Sequence, residues 1–415
     1  MSFIIRLFRR VFNQEQLKKN NRCLSLIQFF RRSAGKLAGF FQPIFLYQLS
    51  KTHFEALDQF YTPLQKAMVI IASYYLLERL FISVFSIVAG SLVEKKLGHK
   101  LGLIIGSLAY AGHFLALYYA DSFPWLVFVA ALVLGLSSVF FWQSYNTLIS
   151  YNSPSSCMGK SLSLLVLWKN LVSMVMPLVG GLIIALFGFD YLFLASILFI
   201  LLSIIAVAGM DIEDEKDEVS LKEYLDWLQE KRFDQLFLSQ SGRYFYDMSL
   251  TLWPLYIFVL LGDVKKIGLI YSLALFFSTI INLFTGSFLD KKQRSRLPYF
   301  FSGGILSLLW LARGAISSAW SIVVVDSCDQ LVGGFHWLYF DRALFHRGQG
   351  REAFSYFVYR MTNRSIASVI FWLLLLGFFL FVPVGWNGLF VLGMIGALLS
   401  LLMQDRVRSS EKEAV

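Results

Sequence analysis

The sequence predicts an all-α integral membrane protein, with twelve transmembrane helices in two pseudo-symmetric six-helix bundles. Three observations lead there. Of the 415 residues, 57% are hydrophobic, 17% aromatic and 15% charged, whereas a soluble domain carries about 45–50% apolar and about 25% charged residues. Apolar runs recur along the chain, each near the ~20 residues an α-helix needs to cross a bilayer. The string Gly90-Ser-Leu-Val-Glu-Lys-Lys96, set between two such runs, returns 196 residues later as Gly286-Ser-Phe-Leu-Asp-Lys-Lys292.

The first 22 residues mix Phe3, Ile4, Leu7 and Phe8 with Arg6, Arg9 and Arg10. That pattern suits a basic amphipathic segment on the cytoplasmic leaflet and not a cleavable signal peptide. The first half, residues 23–210, holds expected spans at 24–50, 67–93, 101–120, 125–150, 161–187 and a sixth ending near 210. Asp121-Ser-Phe-Pro124 and Gly188-Phe-Asp190 mark tight turns between them. Residues 211–234 then carry ten acids and four cations and form an acidic linker. Within it, Ser220 and Glu223 make a capping box, and Leu221, Tyr224, Leu225 and Leu228 follow at helical spacing. A short amphipathic helix resting on the cytoplasmic surface is expected there. The second half, residues 235–403, gives spans at 236–261, 267–289, 297–316, 320–340, 354–381 and 385–403, and residues 404–415 form a charged tail.

Cations cluster on one side of this layout, at Lys95, Lys96, Lys100, Lys160, Lys291, Lys292, Arg294, Arg296, Arg342, Arg347 and Arg351. The positive-inside rule therefore places both termini in the cytoplasm of a cell membrane. The net charge of +10 belongs mostly to these loops, so nucleic acid is not an expected partner. Three scattered cysteines, Cys23, Cys157 and Cys328, imply neither a disulfide framework nor a zinc site. No phosphate-binding glycine loop, paired-histidine motif or glycine-flanked nucleophile is present. Neither an enzyme nor a cofactor is expected.

The duplication extends beyond the opening string. Arg32, Lys36 and Pro43 match Arg243, Asp247 and Pro254, and Trp142 matches Trp337. Gly159, Lys160 and Lys169 match Gly350, Arg351 and Arg360. All these offsets lie between 191 and 211 residues, and the order is kept. Two halves related by a parallel repeat explain this.

Gly90, Glu94, Lys95, Gly98 and Lys100, echoed by Gly286, Asp290 and Lys291, resemble the signature of the major facilitator superfamily of secondary transporters. Glu94 stands where aspartate is usual, Gly98 comes one residue late, and the second copy lacks its following glycine. The resemblance implies two six-helix halves that alternate about a central site. It also implies that the signature acid latches onto the first turn of a span in the other half. Glu94 would face the start of the eleventh span near Arg351, and Asp290 the start of the fifth near Lys160. A helix N-terminus favours an acid by about 0.3–1 kcal/mol. Gly90 and Gly286 would allow close helix contact.

Lys36, Glu78, Arg79, Lys169, Arg243, Asp247, Asp326, Asp329, Arg360 and Arg364 fall within the apolar runs. Each costs roughly 2.5–3.5 kcal/mol near a helix centre, so they are expected to line a polar cavity. Arg31, Arg32 and Arg243 are close enough to the cytoplasmic ends to snorkel. Glu78 and Arg79 are adjacent, hence about 100° apart, and need not pair. Asp326 and Asp329 share one helix face, with Asp326 near the outer surface. Two nearby carboxylates resist ionising together, which suits a proton carrier. Lys169 and Arg360 are repeat-equivalent and would face each other across the pathway. With Lys36 and Arg79 they either bias the cavity towards an anionic solute or pair structurally with Glu78, Asp247 and the acids of the tenth span. His113 and His336 read as hydrogen-bonded packing. Trp142, Tyr145, Trp168, Trp253, Tyr256 and Trp337 read as core and interfacial aromatics.

The expectation is a monomeric secondary active transporter of a small solute, with protons as coupling ions and lipid as its surroundings. A non-transporting receptor or lipid-handling protein of the same fold is the alternative.

Overall fold

The computed structural model describes residues 19–152, 158–210, 219–229, 233–289, 297–347, 353–381 and 386–403. Among these, every regular element is helical. The first expected span is broken. Helix α1 (Lys19–Ala34) enters a π-turn at Gly35–Gly39, and α2 (Gln42–Thr52) resumes with Pro43 in its first turn. Proline lacks an N–H, and its ring clashes with the carbonyl four residues back, so it begins a helix more readily than it continues one.

Helix α3 (Pro63–Leu92) is capped by Thr62, whose Oγ1 accepts from the Gln65 amide at 3.3 Å. It passes through a second π-turn, Val93–Leu97, into α4 (Gly98–Tyr118). Gly98 sits at φ +72° and ψ 163°, a conformation essentially reserved for glycine. Lys66, expected in the preceding loop, lies inside the first turn of α3. It is 1% exposed, with its ammonium 2.6 Å from Asp58.

Helices α5 (Leu126–Asn152), α6 (Met158–Phe187) and α7 (Phe189–Ala208) complete the first half. The single residue between α6 and α7 is Gly188, at φ +92°. After the linker helix α8 (Leu221–Leu228) come α9 (Phe233–Leu261), α10 (Val264–Leu289), α11 (Leu297–Ala312), α12 (Ala319–Arg347), α13 (Ala353–Phe381) and α14 (Asn387–Ser400).

Six stretches among the described residues are long and apolar enough to cross a membrane, and one of them, Pro63–Tyr118, takes in both α3 and α4. Other expected spans fall short for visible reasons. Helix α11 has 16 residues, and α12 carries Asp326, Asp329 and Asp341 on its inner side. Polar residues that face a protein interior lower a helix's apparent hydropathy without exposing charge to lipid.

Within the first half, α1 packs on α7 and α4 on α5; within the second, α9 packs on α14 and α11 on α12. The sequence repeat has an echo in this packing. Gly106 of α4 lies against Phe141 of α5, and Gly303 of α11 lies against His336 of α12.

The linker helix forms where its spacing predicts, but its setting differs from expectation. Ser220 Oγ accepts from the Glu223 amide at 3.2 Å. The reciprocal arm of the capping box runs through a residue of the second half. The Ser220 amide donates to the Tyr359 hydroxyl at 3.4 Å, and that hydroxyl donates to Glu223 Oε2 at 2.9 Å. The Tyr224 hydroxyl donates to Asn363 Oδ1 at 2.7 Å. Helix α8 is therefore docked on α13 instead of resting free on a surface. Its aromatic face, Tyr224 and Trp227, finds Tyr356 and Tyr359 there, while Leu221 and Leu225 stay exposed.

Candidate functional site: charges converging between the halves

The two halves meet along α3 and α13, and again along α6 and α10. Charged side chains from both halves converge beside the first seam. Arg32 comes from α1, Lys36 from the first π-turn, Glu78 and Arg79 from α3, Arg243 and Asp247 from α9, Asp341 from α12, and Arg360 and Arg364 from α13. Lys36 faces Arg32 and Asp247, while Arg32 faces Arg243 and Asp341. Arg364 faces Arg79, Asp247 and Arg360, and Glu78 faces both Arg79 and Arg364. The result is one electrostatic group drawn from both halves, with three acids against six cations among the described residues.

Two close ion pairs lie inside it. Arg243 Nε is 3.0 Å from Asp247 Oδ2, one helical turn away, and Arg79 Nη2 is 3.5 Å from Glu78 Oε1. The second contact corrects the view that sequence neighbours need not pair. A long arginine chain spans the angle between them, and a buried carboxylate without a cation is the costlier arrangement. Glu78 is 2% exposed, and its second oxygen has no hydrogen-bond partner among the described residues. Aromatic faces hold the cations. Arg243 Cζ lies 3.9 Å from the Trp337 centroid, Arg364 Cζ 4.3 Å from Tyr244, and Lys36 Nζ 5.8 Å from Tyr271. All are within the ~6 Å reach of a cation–π contact.

Arg31, Arg32 and Arg243 do not snorkel, because each finds partners inside the bundle. Arg31 is 5% exposed, donates to Ser137 Oγ at 2.7 Å and lies 3.7 Å from the Phe141 centroid. The Gln28 amide, with its oxygen towards Arg32, lies 2.8 and 2.9 Å from that guanidinium, and its nitrogen meets the Tyr145 hydroxyl at 2.7 Å.

Asp326 and Asp329 form a separate cluster inside the second half. Arg313, just beyond α11 and 0% exposed, has Nη2 3.2 Å from Asp326 and 3.6 Å from Asp329. Trp253 Nε1 donates to Asp326 Oδ2 at 3.0 Å, and the Tyr246 hydroxyl donates to Asp329. Asp326 is 2% exposed, so protein encloses it. The sequence reading of a bare carboxylate pair omitted Arg313. The signal for it was its place within the expected ninth span. Tyr271 lies near both charge groups, its ring centroid 5.8 Å from Lys36 Nζ and its hydroxyl within electrostatic reach of Asp326, Asp329 and Arg313.

The histidines are hydrogen-bonded packing, as expected. His113 Nδ1 lies 3.0 Å from the Ala130 carbonyl, and His336 lies 2.9 Å from Ser302 Oγ and 2.8 Å from Ser400 Oγ.

At the end of the bundle that carries the Gly90–Lys100 string, α3 and α13 come into direct contact. A β-carbon on Gly90 would lie 2.8 Å from Val358 Cγ2 and 3.3 Å from Val219, so only glycine fits without displacement. Ser86 Oγ and Thr362 Oγ1 are 2.5 Å apart, and the His99 ring packs edge-on against Phe354 at 4.9 Å. Glu94 is half-buried on the second π-turn, and Lys95 is exposed. Lys100 turns inward, donating to the Ala208 and Met210 carbonyls at 3.0 and 2.9 Å. It closes the end of α7 within its own half. Gly286 falls on α10. Asp290, Lys291, Arg351 and the side chains of Lys160 and Lys169 lie outside the described residues, and with them the expected partners of both signature acids. Among the described residues, no group of three or more His, Cys, Asp or Glu is placed to hold a metal ion.

The family model for the Major Facilitator Superfamily matches residues 24–371. The chain belongs to the major facilitator superfamily. It is a multi-pass membrane protein of that all-helical fold. No curated protein matches its sequence. Among solved structures, this superfamily member is similar in fold to a bacterial homologue of the human drug peptide transporters PepT1 and PepT2. That match has 13% identity and a TM-score of 0.64, covering 96% of this chain and 99% of the other. It is also similar to a POT family transporter in complex with a thioalcohol-conjugated peptide, at 13% identity and TM-score 0.66, covering 92% and 94% of the two chains. A POT family transporter in complex with 5-aminolevulinic acid matches at 14% identity and TM-score 0.65, over the same shares. At such identities the likeness concerns the fold.

Proposed function

We propose that this protein is a secondary active transporter that carries a small anionic solute across the cell membrane by alternating access. Its twelve spans, α1 with α2, α3 to α7 and α9 to α14, form two halves that rock about the charge group between them, with both termini cytoplasmic. One observation carries the reading: six cations and three acids from both halves meet at the seam where the halves must separate. Uncompensated cations in a low-dielectric interior are costly, and a bound anion offsets that cost. A solute held by Lys36 and Arg32 on one side and Arg364 and Arg360 on the other would tie its own binding to closure of the halves.

Proton coupling belongs to this proposal and is assigned first to Glu78. That carboxylate is buried beside the cations, and one of its oxygens is free to carry a proton. Asp326 and Asp329, which share Arg313, are the second choice.

The test is a thermal-shift screen of the purified protein against metabolites grouped by charge, followed by uptake of each stabilising compound into proteoliposomes. Stabilisation by anions and not by neutral or cationic analogues is expected, since a specific ligand raises stability by mass action. Anion binding with no flux across the bilayer would sink the transporter reading and favour a receptor.

A further inference from the structure

We propose that the linker helix α8 is a strap that holds the α3 end at Gly90 against α13, and that opening of this end requires α8 to let go of α13. The proposal rests on the alternating-access reading above and adds a part to it.

Val219 and α8 together touch both sides of the seam. Val219, immediately before the helix, sits over Gly90 of α3, and together they pack with Val358 of α13. From Ser220 onward hydrogen bonds run to α13: the Ser220 amide and Glu223 carboxylate to Tyr359, and the Tyr224 hydroxyl to Asn363. Trp227 adds ring contacts, 5.9 Å from Tyr359 and 6.4 Å from Tyr356. Tyr356, Tyr359 and Asn363 recur at three- and four-residue spacing, so they form one face of α13.

The placement of that face matters. Arg360 and Arg364 each follow a strap-bound residue by one position, and hence point about 100° round the helix, towards the central charges. One helix therefore presents the strap on one face and the charge group on the next. A solute that draws Arg360 and Arg364 towards the first half rotates or shifts α13, and the same movement displaces Tyr359 and Asn363 from under α8. The contacts are also of a releasable kind. They are uncharged or singly charged hydrogen bonds, and those to Tyr359 are only partly buried. A few such bonds bias a two-state equilibrium without locking it.

The test uses the full chain in lipid nanodiscs, with Cys23, Cys157 and Cys328 replaced by Ser and spin labels at Lys96→Cys and Leu297→Cys. Both label sites are exposed and lie at this end of the two halves. The strap variant is Tyr224→Phe with Glu223→Gln, which keeps side-chain shape and helix propensity. The opening reference is Gly90→Leu, which wedges Val358 away from α3. The strap predicts at least a threefold rise in the long-distance population in the Tyr224→Phe, Glu223→Gln variant, with the melting temperature of the detergent-purified protein within a few degrees of the parent. If Gly90→Leu lengthens the distances and the strap variant does not, the strap is refuted while alternation of the halves survives. If neither variant lengthens them, both readings fail. A strap variant whose distances broaden equally at a label pair on the opposite end is loosened throughout, and that result also overturns the proposal.

Discussion

Arg313 lies midway between two acids of one helix face, 3.2 Å from Asp326 and 3.6 Å from Asp329, with none of its surface exposed. The cluster joins α9, α11 and α12 through Trp253, Tyr246 and the guanidinium. Removing one partner of a buried ion pair typically costs about 3–5 kcal/mol, because the other charge is left without compensation. Arg313→Gln is therefore expected to lower the melting temperature sharply. Adding Asp326→Asn to that variant removes one orphaned acid and should recover part of the loss. Thermal unfolding of the two purified variants checks this, and equal melting temperatures for both would contradict the pairing.

Gly98 tests the turn between α3 and α4. At φ +72° and ψ 163° a β-carbon is strained wherever it points, at a cost of order 1–3 kcal/mol. Gly98→Ala should destabilise by about that amount, whereas Gly304→Ala, where a β-carbon meets nothing within 4 Å, should be nearly neutral. Chemical denaturation of both proteins distinguishes a conformational need from a general intolerance of substitution.

The anion-binding centre predicts how cation removal acts on a ligand. Hydrogen bonds to charged groups are worth about 1.5–3 kcal/mol, roughly a tenfold to hundredfold change in Kd. Lys36→Gln and Arg364→Gln should each weaken binding of an anion found by thermal shift by that factor. Arg31→Gln, whose parent guanidinium is enclosed by Ser137 and the rings of Tyr110 and Phe141, should change stability and leave the Kd within about threefold. Titration calorimetry on the three variants decides between them.

Glu78 supplies the prediction for coupling. Glu78→Gln keeps the shape of the protonated acid and removes its ability to give up the proton. In proteoliposomes this variant should exchange solute across the membrane and fail to concentrate it when a pH gradient is imposed. Asp329→Asn should retain the response to the gradient. Full gradient-driven accumulation in Glu78→Gln would move the coupling site elsewhere.

Much of the architecture was legible from the residues. Apolar runs marked most of the helices, Gly188 marked a tight turn, and Ser220 with Glu223 marked the start of α8. Gly90 marked a close approach of two helices. These features are local: they follow from periodicity, from capping and from the presence or absence of a β-carbon. The charge group was partly legible as well. Lys36, Glu78, Arg79, Asp247 and Arg360 stood out because charge inside an apolar run is expensive, and the fold gathers them.

What stayed hidden was pairing. Spacing alone could not show that Arg313 reaches back to Asp326 and Asp329, that Arg31 is enclosed by aromatic rings, or that Lys66 folds inward onto Asp58. It could not show that Tyr359, more than a hundred residues beyond Ser220, completes the capping box of the linker helix. Those outcomes depend on which helix faces which, and long side chains choose among partners only after the helices have packed. The sequence by itself determined that the chain must cross a membrane as helices, carried the repeated strings that point to a duplicated build, and marked Gly90 as a place where glycine is needed. Only the tertiary structure decided that Asp326 and Asp329 share one arginine while Lys36, Arg79 and Arg364 converge at the seam between the halves. The reason is that lipid forces backbone groups to be satisfied within each helix, whereas the partners of buried charges are set between helices.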